Sequence, residues 1–392
     1  MIDGNAAGTR WFDDYLDEAD EGQIDEYDIT ATPNDFNVMT IVHFIESGAV
    51  KIPGFQRNYV WDLRRASKLV ESLILGLPVP QVFLYEEDRN SYLVIDGQQR
   101  LMTLYYFAKQ RFPRKDKRVE LRRVFEEHGA IPEAVLHDDK FFSNFRLSLP
   151  EILPNRPNKF KGLSYSTLGD YKTQFELRPI RNVVVKQNHP AEDDSSVFEI
   201  FNRLNSGGVN LSPQEIRTSL YHSSFYDMLS RANLDARWRR LLRMDQPALH
   251  MKDVEILMRG FAMLIRGHQY APSMTKFLNQ FAKQCQRLDE ETNHYLEGLF
   301  SSFLAAAEGL PDDAFLSKRT KRFNLALYEA VFTATCSEAF KVRRAIAGAL
   351  NAEEIAALDS DEEFLEASQK ATTQKANVET RLERARSIIT AL

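Results

Sequence analysis

The sequence predicts an α+β protein with a mixed front half and an all-helical back half, and three observations carry this. Short apolar runs bounded by turn residues, Gln81–Tyr85, Tyr92–Ile95 and Asn182–Lys186, read as strands. Apolar residues at helical spacing, such as Ala66, Leu69, Val70 and Leu73, alternate with those runs. Beyond residue 245 strand signals stop, and Asp253–Ile265, Lys276–Cys285, Glu291–Glu308, Asn324–Ala339 and Thr372–Leu392 keep the helical period. The predicted division is an acidic flexible tail over 1–31, a mixed domain over 32–235 and a helical domain over 236–392.

Taken in order, residues 1–28 hold ten acidic side chains against Arg10 alone, a single-sign composition that disfavours a core. Thr32-Pro33-Asn34 offers a helix start, followed by Val38, Ile41, Val42 and Ile45 on one face and Gly48 as a stop. Pro53 and Gly54 make Val50–Trp61 an extended loop, and Asp62 then caps a helix that ends at Gly76 before Pro78 and Pro80. The two apolar runs 81–85 and 92–95 form a hairpin or neighbouring strands. Directly after them comes Asp96-Gly97-Gln98-Gln99-Arg100, with Leu101, Leu104, Tyr105 and Ala108 on one helical face: strand, tight turn, helix. Residues 109–157 show weak periodicity punctuated by prolines. A helix is predicted over Ser195–Leu204, and Ser212-Pro213-Gln214-Glu215 is a capping box with proline in the first turn.

Composition narrows the function classes. The 392 residues are 43% hydrophobic and 27% charged, which excludes collagen-like and wholly disordered chains. The longest uncharged run is too short for a spanning helix, so no membrane segment is expected, and the acidic start is neither a secretory signal nor a transit peptide. Two distant cysteines, Cys285 and Cys336, point to a reducing cytoplasm. Residues 51–123 carry fifteen basic and eight acidic side chains, an excess of seven that can face a polyanion or form a solvated surface. The sequence has no Walker-type phosphate loop, no G-x-S-x-G elbow and no paired His or Cys ligands for zinc. The arginines 237, 239, 240 and 243 around Trp238 can touch nucleic acid or, as the default, form a solvated helix face, and Glu255 and Arg259 read as an ion pair four residues apart.

The turn Asp96–Arg100 is the sharpest chemical feature. A helix N-terminus presents unpaired N–H groups and partial positive charge, so the amides after Gly97 can cradle a phosphate while Arg100 adds a permanent cation. A carboxylate there repels phosphate unless Asp96 holds Mg²⁺, orients Arg100, or binds a sugar hydroxyl or water. The same residues also suit a plain strand-to-helix turn. Gln56-Arg57-Asn58-Tyr59-Val60-Trp61 interleaves polar groups with rings that either stack a base or anchor the loop to the core. Asn202-Arg203-Leu204-Asn205-Ser206-Gly207-Gly208 either presents backbone amides or ends a helix.

Together and in this order, Ile52-Pro53-x-Phe55-Gln56-Arg57-x-Tyr59-x-Trp61, Gly76-x-Pro78-x-Pro80, Val94-Ile95-Asp96-Gly97-Gln98-Gln99-Arg100-Leu101-x-Thr103-Leu104 and Phe201-Asn202-Arg203-Leu204-Asn205-x-Gly207-Gly208-x-x-Leu211-Ser212 resemble the N-terminal domain of GmrSD-type modification-dependent restriction systems, within the ParB and sulfiredoxin-like superfamily. The resemblance covers roughly residues 35–225. It implies a small ParB-like mixed domain over 32–235, a prokaryotic antiphage role, and a site that binds or hydrolyses a nucleoside triphosphate. Carried onto this chain, Asp96, Gln98, Gln99 and Arg100 become the central, candidate catalytic residues, with Asp96 as the Mg²⁺ ligand. Gln56, Arg57, Tyr59, Trp61, Gly97, Thr103, Asn205, Gly207 and Gly208 become nucleotide contacts. Many members add a His-Asn-His nuclease; this chain shows helices and no paired histidines there, so cleavage is expected to belong to a partner nuclease or another defence protein. The rival readings are a DNA-binding module using Arg64, Arg65, Arg114, Lys115 and Lys117, and a non-enzymatic scaffold whose helical half binds a partner or a second copy of itself.

Overall fold

In the computed structural model the described residues are 12–13, 28–52, 59–118, 120–121, 124, 131–151, 158–189, 195–204, 212–248, 250–369 and 371–392. The chain divides into two compact units, one of residues 26–211 and one of residues 212–392 together with the first 25. The α+β plan holds, with sheet in the first and helices dominating the second.

In the first unit β2 (Asp28–Asn37), β8 (Pro179–His189), β4 (Val82–Asp88), β5 (Ser91–Asp96) and β3 (Val50–Lys51) form a five-stranded mixed sheet in that spatial order. β4 and β5 are the expected hairpin, antiparallel with Leu84 opposite Val94, while β4 runs parallel to the long β8. α1 (Val38–Glu46), α2 (Leu63–Leu75) and α3 (Gln98–Ala108) bury Val38, Val42, Val70, Leu73, Leu101 and Leu104 in one core. Phe107 of α3 meets Phe145 and Phe175 edge-on, at 5.1 and 5.3 Å between ring centroids, which fixes the far end of that helix. α2 begins where its sequence said, with Asp62 Oδ1 accepting from Arg65 N–H at 2.7 Å, and ends on left-handed Gly76.

Two expectations at the front are corrected. Thr32, Pro33 and Asn34 do not start a helix; they lie in β2, opposite Val184, Val183 and Asn182. β2 is an edge strand, where proline's missing N–H is tolerated, and the real cap is Asn37, whose Oδ1 accepts from Thr40 N–H at 2.8 Å. Nor is 28–31 a tail, because it pairs with β8; farther upstream β1 (Phe12–Asp13) pairs in parallel with β9 (Phe323–Asn324). The poorly legible 109–157 stretch contributes β6 (Arg111–Pro113) and β7 (Phe142–Asn144), an antiparallel pair with α4 (Glu133–His137) between them in sequence. Arg111 is buried there, bonded to Leu136 O and Asp139 Oδ1, so Asp139 serves an ion pair.

After α5 (Tyr171–Glu176), β8 and α6 (Ser195–Leu204), the second unit takes up the chain with α7 (Pro213–Leu220), α8 (Ser224–Asn233), α9 (Ala236–Leu242), α10 (Lys252–Arg266), α11 (Met274–Cys285), α12 (Glu290–Ala306), α13 (Leu325–Lys341), α14 (Ala352–Leu358), α15 (Glu362–Gln369) and α16 (Lys375–Ile388). α7 and α8, which the sequence reading grouped with the front domain, join this unit: Arg217 Nε donates to Asn279 Oδ1 at 2.9 Å and Arg231 pairs with Glu297 at 2.8 Å. The capping box forms, with Ser212 and Glu215 exchanging backbone and side-chain bonds. The core centres on Trp238, Phe261, Phe300, Phe303, Tyr328 and Phe332, where Gly260 leaves room for the Tyr328 hydroxyl.

The arginines around Trp238 do not share one solvated face: Arg243 is exposed, but Arg239 and Arg240 turn to partners in the fold. Arg239 is buried and donates to Asp253 Oδ2 at 2.7 Å, and Arg240 donates to the carbonyls of Ala307 and Leu310. Glu255 is held below the usual carboxylate range by Lys252, Arg217 and Arg259, against the opposing effect of its own burial, and Arg259 also meets Glu329. No helix among the described residues is long and apolar enough to cross a membrane.

Candidate functional site: the strand-to-helix turn at Asp96–Arg100

β5 ends at Asp96, and Gly97 turns the backbone at φ +101° into α3. Only glycine suits this position comfortably: the φ is left-handed, and a Cβ would sit 2.8 Å from Val82 Cγ2 and 3.1 Å from its Cγ1. Gly97 brings no side chain to cap α3, so the first turn of the helix has no acceptor from its cap position. Positive partial charge is concentrated at that end.

Arg100 folds back over the turn. Its Nη2 donates to Asp96 Oδ2 at 2.8 Å and to Gln81 O at 3.0 Å, so Asp96 orients Arg100. The Arg100 side chain is 17% exposed and that of Asp96 40%, which leaves the carboxylate open to solvent. Gln99 points the other way, its Oε1 accepting from the N–H of Val60 at 2.9 Å and of Trp61 at 3.3 Å. Arg118 completes a grip on the same two residues, donating from Nη1 to Val60 O at 3.3 Å and from Nη2 to Trp61 O at 2.9 Å. Burial lowers the Arg118 pKa from its ordinary value. Three buried donors here meet no acceptor: Gln99 Nε2, Arg100 Nε and Arg118 Nε.

The loop is tied to the helix a second time through Tyr59, whose hydroxyl lies 2.8 Å from Thr103 Oγ1, while Thr103 donates to Gln99 O at 2.6 Å. Tyr59 is therefore a core residue, and the base-stacking role expected of it is corrected. The residue is 6% exposed, its ring stands edge-on to Tyr106 and Phe112, and burial pushes its hydroxyl far above the usual phenol range. Trp61 is half-buried with the Arg65 guanidinium 4.7 Å over its ring.

The tertiary structure thus brings Asp96, Gly97, Gln98, Gln99, Arg100 and Thr103 together on one turn and helix, with Tyr59 and Trp61 beside them. Gln56, Arg57, Asn205, Gly207 and Gly208 lie outside the described residues, although α6, which leads to Asn205, packs against the strand that ends at Asp96. Of the basic residues, Arg64, Arg65, Arg114 and Lys115 are exposed, but Arg114 donates to Asp139 O and Lys117 pairs with Glu120. Arg118 was not singled out by sequence; the basic run 114–118 was the available signal, and only folding separates the residue that turns inward.

Mg²⁺ fits this site in one way. Among the described residues no group of three His, Cys, Asp or Glu side chains could cage a metal, and Asp96 is a single, solvent-accessible carboxylate. That donor set suits an ion shared with phosphate oxygens, since Mg²⁺ commonly takes one or two carboxylates plus phosphates and water.

Residues 38–222 match the family described as the GmrSD restriction endonuclease, N-terminal domain. An uncharacterized protein of Methanocaldococcus jannaschii is 22% identical over 242 residues, an overlap that covers 47% of this chain and 41% of that protein. The chain therefore spans less than half the length of that relative. The matched segment contains four of the sheet's five strands, the Asp96–Arg100 turn and the start of the helical unit, and over residues 38–222 this chain is similar to the GmrSD N-terminal family.

Proposed function

We propose that the chain is a nucleotide-binding component of a prokaryotic, restriction-like defence system, which holds nucleoside triphosphate phosphates at the Asp96–Arg100 turn. One observation carries this reading: at a helix N-terminus that lacks a side-chain cap, Arg100 Nε is a buried donor without an acceptor, and Gln99 Nε2 and Arg118 Nε, on side chains that hold the neighbouring Val60–Trp61 backbone, lack one too. Each unsatisfied buried donor costs about 1–3 kcal/mol, and an anion is the ligand that satisfies donors alone. A phosphate oxygen competes with Asp96 for Arg100, and the released carboxylate is then available to Mg²⁺. The ion's contribution when bound is to neutralise charge on the phosphates. Gln99 and Arg118 hold the Val60–Trp61 backbone against the same turn, and Thr103 holds Tyr59, so the chain's own work is to keep the donors in place. Hydrolysis belongs to the same reading, as does a separate nuclease that acts on the nucleotide-bound state.

Thermal unfolding with each of the four nucleoside triphosphates and Mg²⁺ tests it. A ligand at one hundred times its Kd stabilises by about 2.7 kcal/mol, a shift of several degrees in the transition of the sheet unit. Arg100→Ala should abolish the shift. A folded Arg100→Ala chain that keeps it refutes the assignment. The exposed Arg64, Arg65, Arg114 and Lys115 support DNA as a second ligand, for which affinity should fall steeply between low and physiological salt.

A further inference from the structure

The helical unit contains a pocket of about 320 Å³ that the turn at Asp96 does not use. Ser317, Lys318, Arg319, Asn324, Asp359 and Ser368 bring polar groups to walls that are otherwise largely apolar, with Leu365 among them. The Ser368 residue is 7% exposed, and its hydroxyl has no hydrogen-bond partner. The Asp359 side chain is 9% exposed and has only long contacts, to Asn324 Nδ2 at 3.3 Å and to Lys318 Nζ at 3.8 Å. The Asn324 amide is fixed, because its Oδ1 caps α13 by accepting from Leu327 N–H and its nitrogen must therefore face Asp359. Lys318 leans over Ser360, to whose Oγ it donates at 2.8 Å, with 63% of its side chain exposed.

These features select a ligand. Ionised Asp359 is an acceptor only, so the group that meets it must be a donor, and Lys318 and Arg319 alongside disfavour an incoming ammonium. A neutral donor remains, and a hydroxyl is one. The same two cations at the rim select an anion, and phosphate matches both. The volume lies at the small end of ligand pockets and suits a single sugar with one phosphate. We propose that this pocket binds a small phosphorylated sugar, its hydroxyls on Asp359, Asn324 and Ser368 and its phosphate on Lys318 and Arg319. Asp359 already titrates above the usual carboxylate range because of desolvation, and incoming hydroxyl donors restore what burial removed.

Titration calorimetry of the full chain with ribose 5-phosphate, ribose and inorganic phosphate tests this. The sugar phosphate should bind at least about tenfold more tightly than either fragment. Asp359→Asn should weaken it about tenfold, and so should Lys318→Ala, which removes an exposed side chain and leaves the core untouched. Binding should persist in Arg100→Ala, which separates this pocket from the turn. The proposal is overturned if ribose 5-phosphate binds no better than inorganic phosphate, if neither pocket variant weakens it, or if Arg100→Ala alone removes it.

Discussion

Replacing Gly97 with alanine puts a methyl group where the structure has no room for one. The cost has two parts. An L-residue held in the left-handed region at φ +101° loses about 1–2 kcal/mol. The new Cβ would also lie 2.8 Å from Val82 Cγ2, and Val82 cannot easily yield: it is β-branched, 1% exposed, and on the strand flanked by β8 and β5. Overpacking of this kind costs about 1–3 kcal/mol, so the total is about 2–5 kcal/mol, a large share of the stability of an ordinary domain. Urea unfolding followed by circular dichroism measures it. A second arm isolates the clash: in a Val82→Ala background Gly97→Ala should cost about 1–2 kcal/mol less, a coupling readable from the double-mutant cycle. If Gly97→Ala lies within about 0.5 kcal/mol of the parent, or if the two substitutions are additive, the reasoning about the turn is wrong.

Thr103→Val strands the Tyr59 hydroxyl in the core and should cost about 1–3 kcal/mol, more than Tyr59→Phe, which leaves Thr103 its bond to Gln99 O; equal costs in urea melts would contradict the shared bond. Asp253→Ala leaves Arg239 buried without its carboxylate and takes acceptors from Asn233 and Ala248, so the helical unit should lose about 3–5 kcal/mol, and a loss below about 1 kcal/mol would show the pair to be dispensable. Burial pushes the Cys285 and Cys336 thiols up, so neither should react with a thiol reagent in the folded chain at pH 8, while both should react in denaturant. The same shifts set a pH dependence: these thiols and the Tyr59 and Tyr106 hydroxyls stay protonated in the folded chain, whereas the unfolded groups ionise from about pH 8.5 and about pH 10. Their contribution is complete below about pH 8 and lost as pH rises above it; a flat stability between pH 8 and 10 would count against burial of these groups.

What the sequence determined alone is what depends on neighbours in the chain. Asp62 capping α2, Gly76 ending it, the Ser212 and Glu215 box, the 82–96 hairpin and the turn at Gly97 are interactions within a few residues, and each appears where local chemistry puts it. The family motifs were legible for the same reason. What only the tertiary structure decided is which competing local signal wins and which side chain turns inward. Thr32-Pro33-Asn34 could start a helix until β8 supplied a partner strand, and Tyr59 could face a ligand until Thr103, Tyr106 and Phe112 enclosed it. The arginines around Trp238 looked like a solvated face because nothing local reveals Asp253, fourteen residues from Arg239. Arg118 lies 57 and 58 residues from the carbonyls it grips. The free energy of such contacts comes from burial and from pairing across the chain, and neither exists until distant segments meet.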